Sequence, residues 1–71
     1  MSRYVILIEQ SEDGFGAWCP DLPGCVAVGD TVSETIEEMR GAIRFHIDGL
    51  REEGLPVPAP STVASTEVDA A

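Results

Sequence analysis

The stretch between residues 31 and 54 constrains the fold of this chain more than any other part of the sequence. Thr31-Val32-Ser33-Glu34 matches a capping box, in which the Thr31 hydroxyl accepts from the backbone of Glu34 and the Glu34 side chain returns to the backbone of Thr31. Glu53-Gly54 is typical of a helix end. In between, apolar residues recur three or four positions apart on one helical stripe: Val32, Ile36, Met39, Ile43, Ile47 and Leu50. Such a helix needs a second layer to bury its stripe.

The second layer is predicted from the residues that precede the helix. Tyr4–Ile8 is short, β-branched and apolar, which is typical of a strand buried on both faces and central in its sheet. Two further strands are predicted at Phe15–Cys19 and Cys25–Val28. Asp13-Gly14 and Pro23-Gly24 join the strands and suit tight turns, and connections this short favour an antiparallel meander.

The segment after the helix completes the predicted topology. Pro56–Pro60 is a stiff, extended spacer. Ser61–Val68 has strand-like residues but a weak apolar face, so it forms either an edge strand that returns to the sheet or a tail. The sequence therefore predicts one α+β domain over residues 1–71, a two-layer β-β-β-α-β sandwich in which one helix covers an antiparallel meander.

Charge and length restrict the partners of such a domain. The chain has 71 residues, with 13 acidic residues against 4 basic ones and no lysine, for a net charge of −9. This balance argues against direct nucleic-acid binding and favours a basic protein partner. A single core of this size rarely supplies more than about 3–5 kcal/mol, so a homo-oligomer, dimer or tetramer, is expected.

Cellular location follows from the apolar runs of the sequence. None approaches the roughly 18–20 residues that span a bilayer, and only five apolar residues follow the N-terminal Ser2-Arg3, so neither a membrane segment nor a signal peptide is expected. The predicted location is the cytoplasm. Cys19 and Cys25 are then expected as thiols, although their places on either side of a turn leave a disulfide or half of a metal site open.

The chemically active residue types do not form a recognisable catalytic or metal-binding pattern. His46 and Cys19 lack a third, orienting residue at any known spacing, so His46 is expected to be a partly buried or interface side chain. Asp13, Asp21 and Asp30 each fit a turn or a position ahead of a helix N-terminus. Two cysteines and one histidine are too few for structural zinc. We therefore predict no catalytic residue, cofactor or metal, and no enzyme.

Two surfaces are candidates for partner binding. Trp18 alternates with Ala17 and Cys19, so if these two and Phe15 face the helix, Trp18 points to solvent or a partner; the alternative is that it packs within the monomer. The outer face of the helix is acidic, and Gly41 and Gly49 within it suggest the close approach of another backbone. The predicted partner contacts are Trp18, Glu37, Glu38, Asp48 and Glu52.

An ordered set of short motifs resembles the HicB-like antitoxin domain. The resemblance covers residues 3–60 with family-like spacing, and no single motif is diagnostic. The motifs are Tyr4-Val5-Ile6, Glu12-Asp13-Gly14, the run Trp18-Cys19-Pro20-Asp21-Leu22-Pro23-Gly24-Cys25, Gly29-Asp30-Thr31 and Gly54-Leu55-Pro56-Val57-Pro58.

The resemblance implies a partial RNase H-like fold and a place in a type II toxin–antitoxin module, in which the domain masks a small basic mRNA-cleaving toxin. Full-length members usually add a C-terminal helix-turn-helix or ribbon-helix-helix for DNA binding. Only eleven residues follow Pro60, none of them basic, so no C-terminal DNA-binding domain is expected in this chain. A second hypothesis is an orphan oligomeric structural or regulatory protein without a toxin partner.

Overall fold

The computed structural model describes residues 3–70 and has one sheet and one helix. Strands β1 (Leu7–Ser11), β2 (Gly14–Trp18) and β3 (Val26–Gly29) are antiparallel and lie in the order β1-β2-β3. Helix α1 (Val32–Glu52) packs against β2 and β3. The α+β prediction, a meander covered by one helix, is therefore confirmed.

The first strand differs from its prediction in extent and in position. β1 begins at Leu7 rather than Tyr4 and lies at the edge of the sheet, with β2 in the centre. The apolar run from Tyr4 to Ile8 is half-buried rather than buried on both sides. Tyr4, Ile6 and Ile8 pack against the core, and this packing accounts for the apolar character of the run. A strand on each side is not needed for it.

The final strand predicted at residues 61–68 is not formed. Residues 55–70 have neither helix nor strand, so the order within the described part of the chain is β-β-β-α. Ser61 and Thr62, the first two residues of the predicted strand, donate their backbone N–H groups to the Asp21 carboxylate and not to a strand ladder. The segment is fixed instead by side chains: the Tyr4 hydroxyl donates to the carbonyl of Pro58 at 2.5 Å.

The core is small and centres on the turn between β2 and β3. Leu22 and Met39 have no exposed surface, and Ala17, Cys19 and Cys25 are almost fully buried, which confirms the predicted inner face of β2. Leu22 points inward because its N–H donates to the carbonyl of Cys19 at 3.1 Å and its own carbonyl accepts from Cys25 at 3.1 Å. The second bond closes the predicted type II turn, in which Gly24 has φ +84°.

Both ends of α1 are capped. The backbone N–H of Glu34 donates to the Thr31 hydroxyl at 3.0 Å, as predicted, whereas the Glu34 carboxylate accepts from the N–H of Asp30 at 3.3 Å, one residue earlier than predicted. At the other end, Gly54 has φ +70°, and the N–H groups of Gly54 and Leu55 donate to carbonyls of the last turn in a Schellman motif.

Sheet and helix approach each other closely at Gly29. Thr35 is fully buried, and its hydroxyl donates to the carbonyl of Thr31 at 2.7 Å. A Cβ atom at Gly29 would lie 2.6 Å from the Thr35 hydroxyl and 2.8 Å from the Thr35 backbone nitrogen. The buried stripe of α1 is thus centred on Thr35 and Met39, while Val32, predicted on the stripe, is 44% exposed.

Candidate partner-binding surfaces

The sheet face that turns away from α1 is open and apolar, and we call it the open sheet face. Trp18 pairs with Val26 across β2 and β3, and Val28 lies two residues further along β3. Their exposed fractions are 40%, 64% and 75%, and no other element covers them within residues 3–70. The predicted outward orientation of Trp18 is correct, and contiguous exposed apolar residues of this kind are typical of protein interfaces.

The outer face of α1 carries an exposed aromatic ring among carboxylates. Glu38, Phe45 and Glu52 are seven residues apart, two helical turns, and therefore lie along one line of the helix. Phe45 is 82% exposed. Gly41 and Gly49 lie one turn on either side of Phe45, and a Cβ atom at either would meet nothing within 4 Å. We call these five residues the acidic helix face.

The backbone approach predicted at Gly41 and Gly49 is not found among residues 3–70, since the space beside both glycines is open. The monomer therefore gives no packing reason for either residue, although each costs a helix about 1 kcal/mol relative to alanine. An open, side-chain-free surface beside an exposed ring allows a partner to approach the helix closely.

The structure divides the predicted contacts among different surfaces. Glu38 and Glu52 share one face of α1, and Trp18 lies on the far side of the sheet from that helix. Glu37 forms an ion pair with Arg40 at 2.5 Å, and Asp48 lines a groove at the side of α1. One small partner could not contact all five predicted residues without wrapping around the domain.

Phe45 was missed in the sequence prediction of partner contacts. A detectable signal was present, because Phe45 does not belong to the apolar stripe of α1 and lies midway between Glu38 and Glu52. An aromatic residue on the polar side of an amphipathic helix is unusual and indicates a surface that binds a partner.

A third surface is a groove between the N-terminal stretch and α1, which we call the arginine groove. It has an apolar floor that includes Ile43 and Ile47, and Ile6 belongs to the wall opposite α1. Every basic residue of the chain lines it: Arg3, Arg40, Arg44 and Arg51. The sequence prediction treated the helix surface as acidic and did not separate this side from the outer face.

Cys19 and Cys25 are free thiols buried in the core, with 2% and 3% of their surface exposed. Burial, with Cys19 close by, raises the pKa of the Cys25 thiol above its ordinary value. Both effects disfavour the thiolate, the reactive form of cysteine. The arrangement fits a structural role in packing.

The residues considered for catalysis are not assembled into a site. No group of three or more potential metal ligands occurs among residues 3–70. His46 is half-buried on α1, as predicted, and Asp30 contributes its backbone N–H to the helix cap. Asp21 has a role that the sequence prediction missed.

Asp21 fastens the segment that follows α1 to the turn between β2 and β3. One carboxylate oxygen accepts from the backbone N–H groups of Ser61 and Thr62 at 3.1 and 3.0 Å, and the other accepts from their hydroxyls at 2.8 and 3.1 Å. These bonds, that from the Thr62 backbone first, hold the pKa of Asp21 below its ordinary value of 3.8. No local pattern could indicate a contact across forty residues.

We expect Asp21→Asn to release Ser61 and Thr62 from the turn, because an amide offers one oxygen where the carboxylate offers two. The low pKa of Asp21 means that the charged form is favoured when the segment is attached. The attachment is therefore complete at neutral pH and weakens as the pH falls below 3.8 toward the lower pKa of the attached form.

Backbone amide NMR of residues 61–62 checks this prediction: the order parameters should fall in Asp21→Asn at pH 7, and in the unchanged chain only under acid. Asp13→Asn, in the first hairpin, is the matched control and should leave both residues ordered. An unchanged signal in Asp21→Asn would show that the prolines alone hold the segment.

The sequence from residue 4 to 70 matches the family described as "HicB_like antitoxin of bacterial toxin-antitoxin system". This chain belongs to the HicB-like antitoxin family. The predicted resemblance is thereby confirmed. Within residues 3–70 of this HicB-like chain, no helix combines the length and apolar character that crossing a membrane requires.

Several known proteins are similar to this HicB-like chain. A 14.9 kDa protein of Haemophilus phage HP1 is 40% identical over 60 residues, which are 84% of this chain and 45% of the phage protein. The chain thus spans less than half of that relative. A UPF0150 protein of Synechocystis is 43% identical over 57 residues, covering 79% of this chain and 72% of the relative.

The fold also matches a solved structure. A chain of the "HicA3 and HicB3 toxin-antitoxin complex" superimposes with a TM-score of 0.76 at 33% sequence identity, covering 84% of this chain and 70% of the other. The HicB-like fold of three antiparallel strands and one helix is therefore shown by structure as well as by sequence.

Proposed function

We propose that this HicB-like domain is an antitoxin module that binds a small basic mRNA-cleaving toxin in the cytoplasm and covers its RNA-binding face. Family membership and a structural neighbour taken from a toxin–antitoxin complex support this proposal. The domain acts by binding and not by catalysis, and residues 3–70 bring together no cluster of metal ligands that would serve nuclease chemistry.

The observation that carries the proposal is the exposed ring of Phe45 between Glu38 and Glu52. An RNA-binding face is basic, so a carboxylate surface is its electrostatic complement and speeds the encounter. The ring adds a large apolar contact to the charge complementarity, and aromatic residues are enriched at interface hot spots. The acidic helix face thus has both parts of an interface for a basic protein.

Phosphate mimicry gives the masking a physical basis. Basic side chains that bind the RNA backbone are arranged to contact a row of negative charges, and Glu38 and Glu52 stand about 21 Å apart along the helix. Glu37 and Asp48, also predicted as partner contacts, lie outside this row: Glu37 pairs with Arg40, and Asp48 lines the groove at the side of α1. A toxin held on the helix could not bind RNA with the same residues.

The open sheet face supports the second part of the proposal, self-association into a dimer or tetramer. Trp18, Val26 and Val28 form an apolar patch on the side of the domain opposite α1. Pairing two patches would bury it and leave both acidic helix faces accessible. This observation also favours the alternative function, an orphan oligomeric structural or regulatory protein, since the patch needs no toxin.

Co-expression with a short basic protein, if the neighbouring reading frame encodes one, tests the proposal. We expect a complex whose association rate falls at least about tenfold between low and high salt, because steering by charge is screened. Glu38→Gln/Glu52→Gln should slow association, and Glu12→Gln/Asp13→Asn, which removes the same charge from the first hairpin, should not. Failure to bind at low salt would support the orphan alternative.

A further inference from the structure

The arginine groove concentrates all the basic side chains of an acidic protein in one place. Four arginines line it, and Asp48 is the one acidic residue among the lining residues. Within residues 3–70 the only ion pair is that of Arg40 with Glu37, so Arg3, Arg44 and Arg51 have no carboxylate within salt-bridge distance. The groove therefore suits an occupant that is acidic.

The floor and one wall of the groove place two further requirements on its occupant. Ile43 and Ile47 of α1 are half-buried in the floor and offer apolar contacts. Tyr4 and Ile6 form part of the opposite wall, in the stretch before β1 that belongs to no strand ladder and is held by the bond from the Tyr4 hydroxyl to the carbonyl of Pro58. Extended backbone without partners at a sheet edge accepts an added strand. The occupant should therefore be extended, partly apolar and acidic.

Residues 63–70 of this chain have these properties, and we call them the tail. Val63 and Val68 are 90% and 83% exposed, and Glu67 and Asp69 supply negative charge. Every residue of the tail is exposed, and none of them lines the arginine groove of its own domain. The tail is thus an acidic, β-prone segment without a packing partner.

We propose that the tail of one copy lies in the arginine groove of a second copy as an added strand beside Tyr4–Ile6. Val63, Glu67 and Asp69 lie on the same face of the added strand, so Glu67 and Asp69 face the arginines and Val63 contacts the apolar floor. The lengths agree, since residues 63–69 in extended form span about 20 Å and Arg40 to Arg51 along α1 span about 17 Å.

The attachment of Ser61 and Thr62 to Asp21 explains why the tail would bind a second copy and not its own domain. Four hydrogen bonds hold Ser61 and Thr62 at the turn between β2 and β3, so the tail starts from that turn. Residues 63–70 beyond it are all exposed, and the molecule is 44 Å long but only 20 Å thick. A tail that leaves its own domain in this way is positioned to reach a neighbouring domain.

Paramagnetic relaxation between copies tests the proposal. A nitroxide attached to Ser65→Cys in unlabelled protein is mixed with ¹⁵N-labelled protein of the natural sequence. We expect broadening of the amide signals of residues 4–6 and 43–47 in the labelled copy. The same reaction on the unchanged chain is the control for labelling at Cys19 and Cys25, which are buried.

Charge exchange makes the test specific. Arg44→Glu/Arg51→Glu in the labelled copy should abolish the broadening, and pairing that copy with Glu67→Arg/Asp69→Arg in the spin-labelled copy should restore it. Glu12→Arg/Asp13→Arg in the spin-labelled copy should change nothing. Absence of broadening between copies, or broadening confined to the open sheet face, would overturn the proposal. All readouts are independent of a toxin.

Discussion

Gly29→Ala is expected to remove most of the stability of the folded domain at room temperature. The added Cβ would lie 2.6 Å from the Thr35 hydroxyl and 2.8 Å from its backbone nitrogen. A hydroxyl can rotate away, but the nitrogen belongs to the first turn of α1 and moves only with the helix. Overpacking of this kind costs about 3 kcal/mol, most of what a core of this size supplies, about 3–5 kcal/mol.

Urea denaturation followed by circular dichroism measures this effect, and Gly41→Ala is the matched control. A Cβ at Gly41 meets nothing within 4 Å, and alanine is the better helix former by about 1 kcal/mol, so the control should be more stable than the unchanged chain. Equal midpoints for Gly29→Ala and the unchanged chain would show that sheet and helix pack less closely than described.

Phe45→Ala is expected to weaken toxin binding by at least about thirty-fold, about 2 kcal/mol. The ring is 82% exposed, so truncation removes little packing within the monomer, and folding stability should change by less than about 0.5 kcal/mol. The loss should therefore appear as faster dissociation of the complex, with the encounter rate, which depends on Glu38 and Glu52, nearly unchanged.

Val68→Ala is the control for Phe45→Ala, since Val68 is also apolar and 83% exposed but lies outside the acidic helix face. Dissociation rates from surface plasmon resonance with immobilised toxin separate the two variants. If Phe45→Ala and the unchanged chain dissociate at the same rate, the toxin occupies another surface and the proposed interface is wrong.

Sequence patterns predicted correctly those parts of the fold that depend on residues close together in the chain. The cap at Thr31, the stop at Gly54 and the turn at Pro23-Gly24 depend on residues a few positions apart, and each is found. The bond between Asp21 and Ser61 joins residues forty positions apart, and no pattern in either segment indicates it. The final strand failed for a related reason, because strand-like composition does not show whether a partner edge is within reach.

The candidate site was predicted in part. Helical spacing placed Glu38 and Glu52 on one face correctly, because periodicity determines direction around a helix. Periodicity does not show which side of an acidic helix borders a groove, so the gathering of all arginines at one side was not anticipated. Phe45 lies outside the apolar stripe of α1, so the periodicity of the stripe does not predict it.

The open glycines of α1 bear on the lifetime of the protein. Each keeps the helix about 1 kcal/mol less stable than alanine would, so the domain on its own stays close to the threshold of unfolding. A partner that binds only the folded domain at a hundred times its Kd adds about 2.7 kcal/mol. Copies without a partner would then be the ones that proteases degrade, and the standing amount of this chain would follow the amount of its partner.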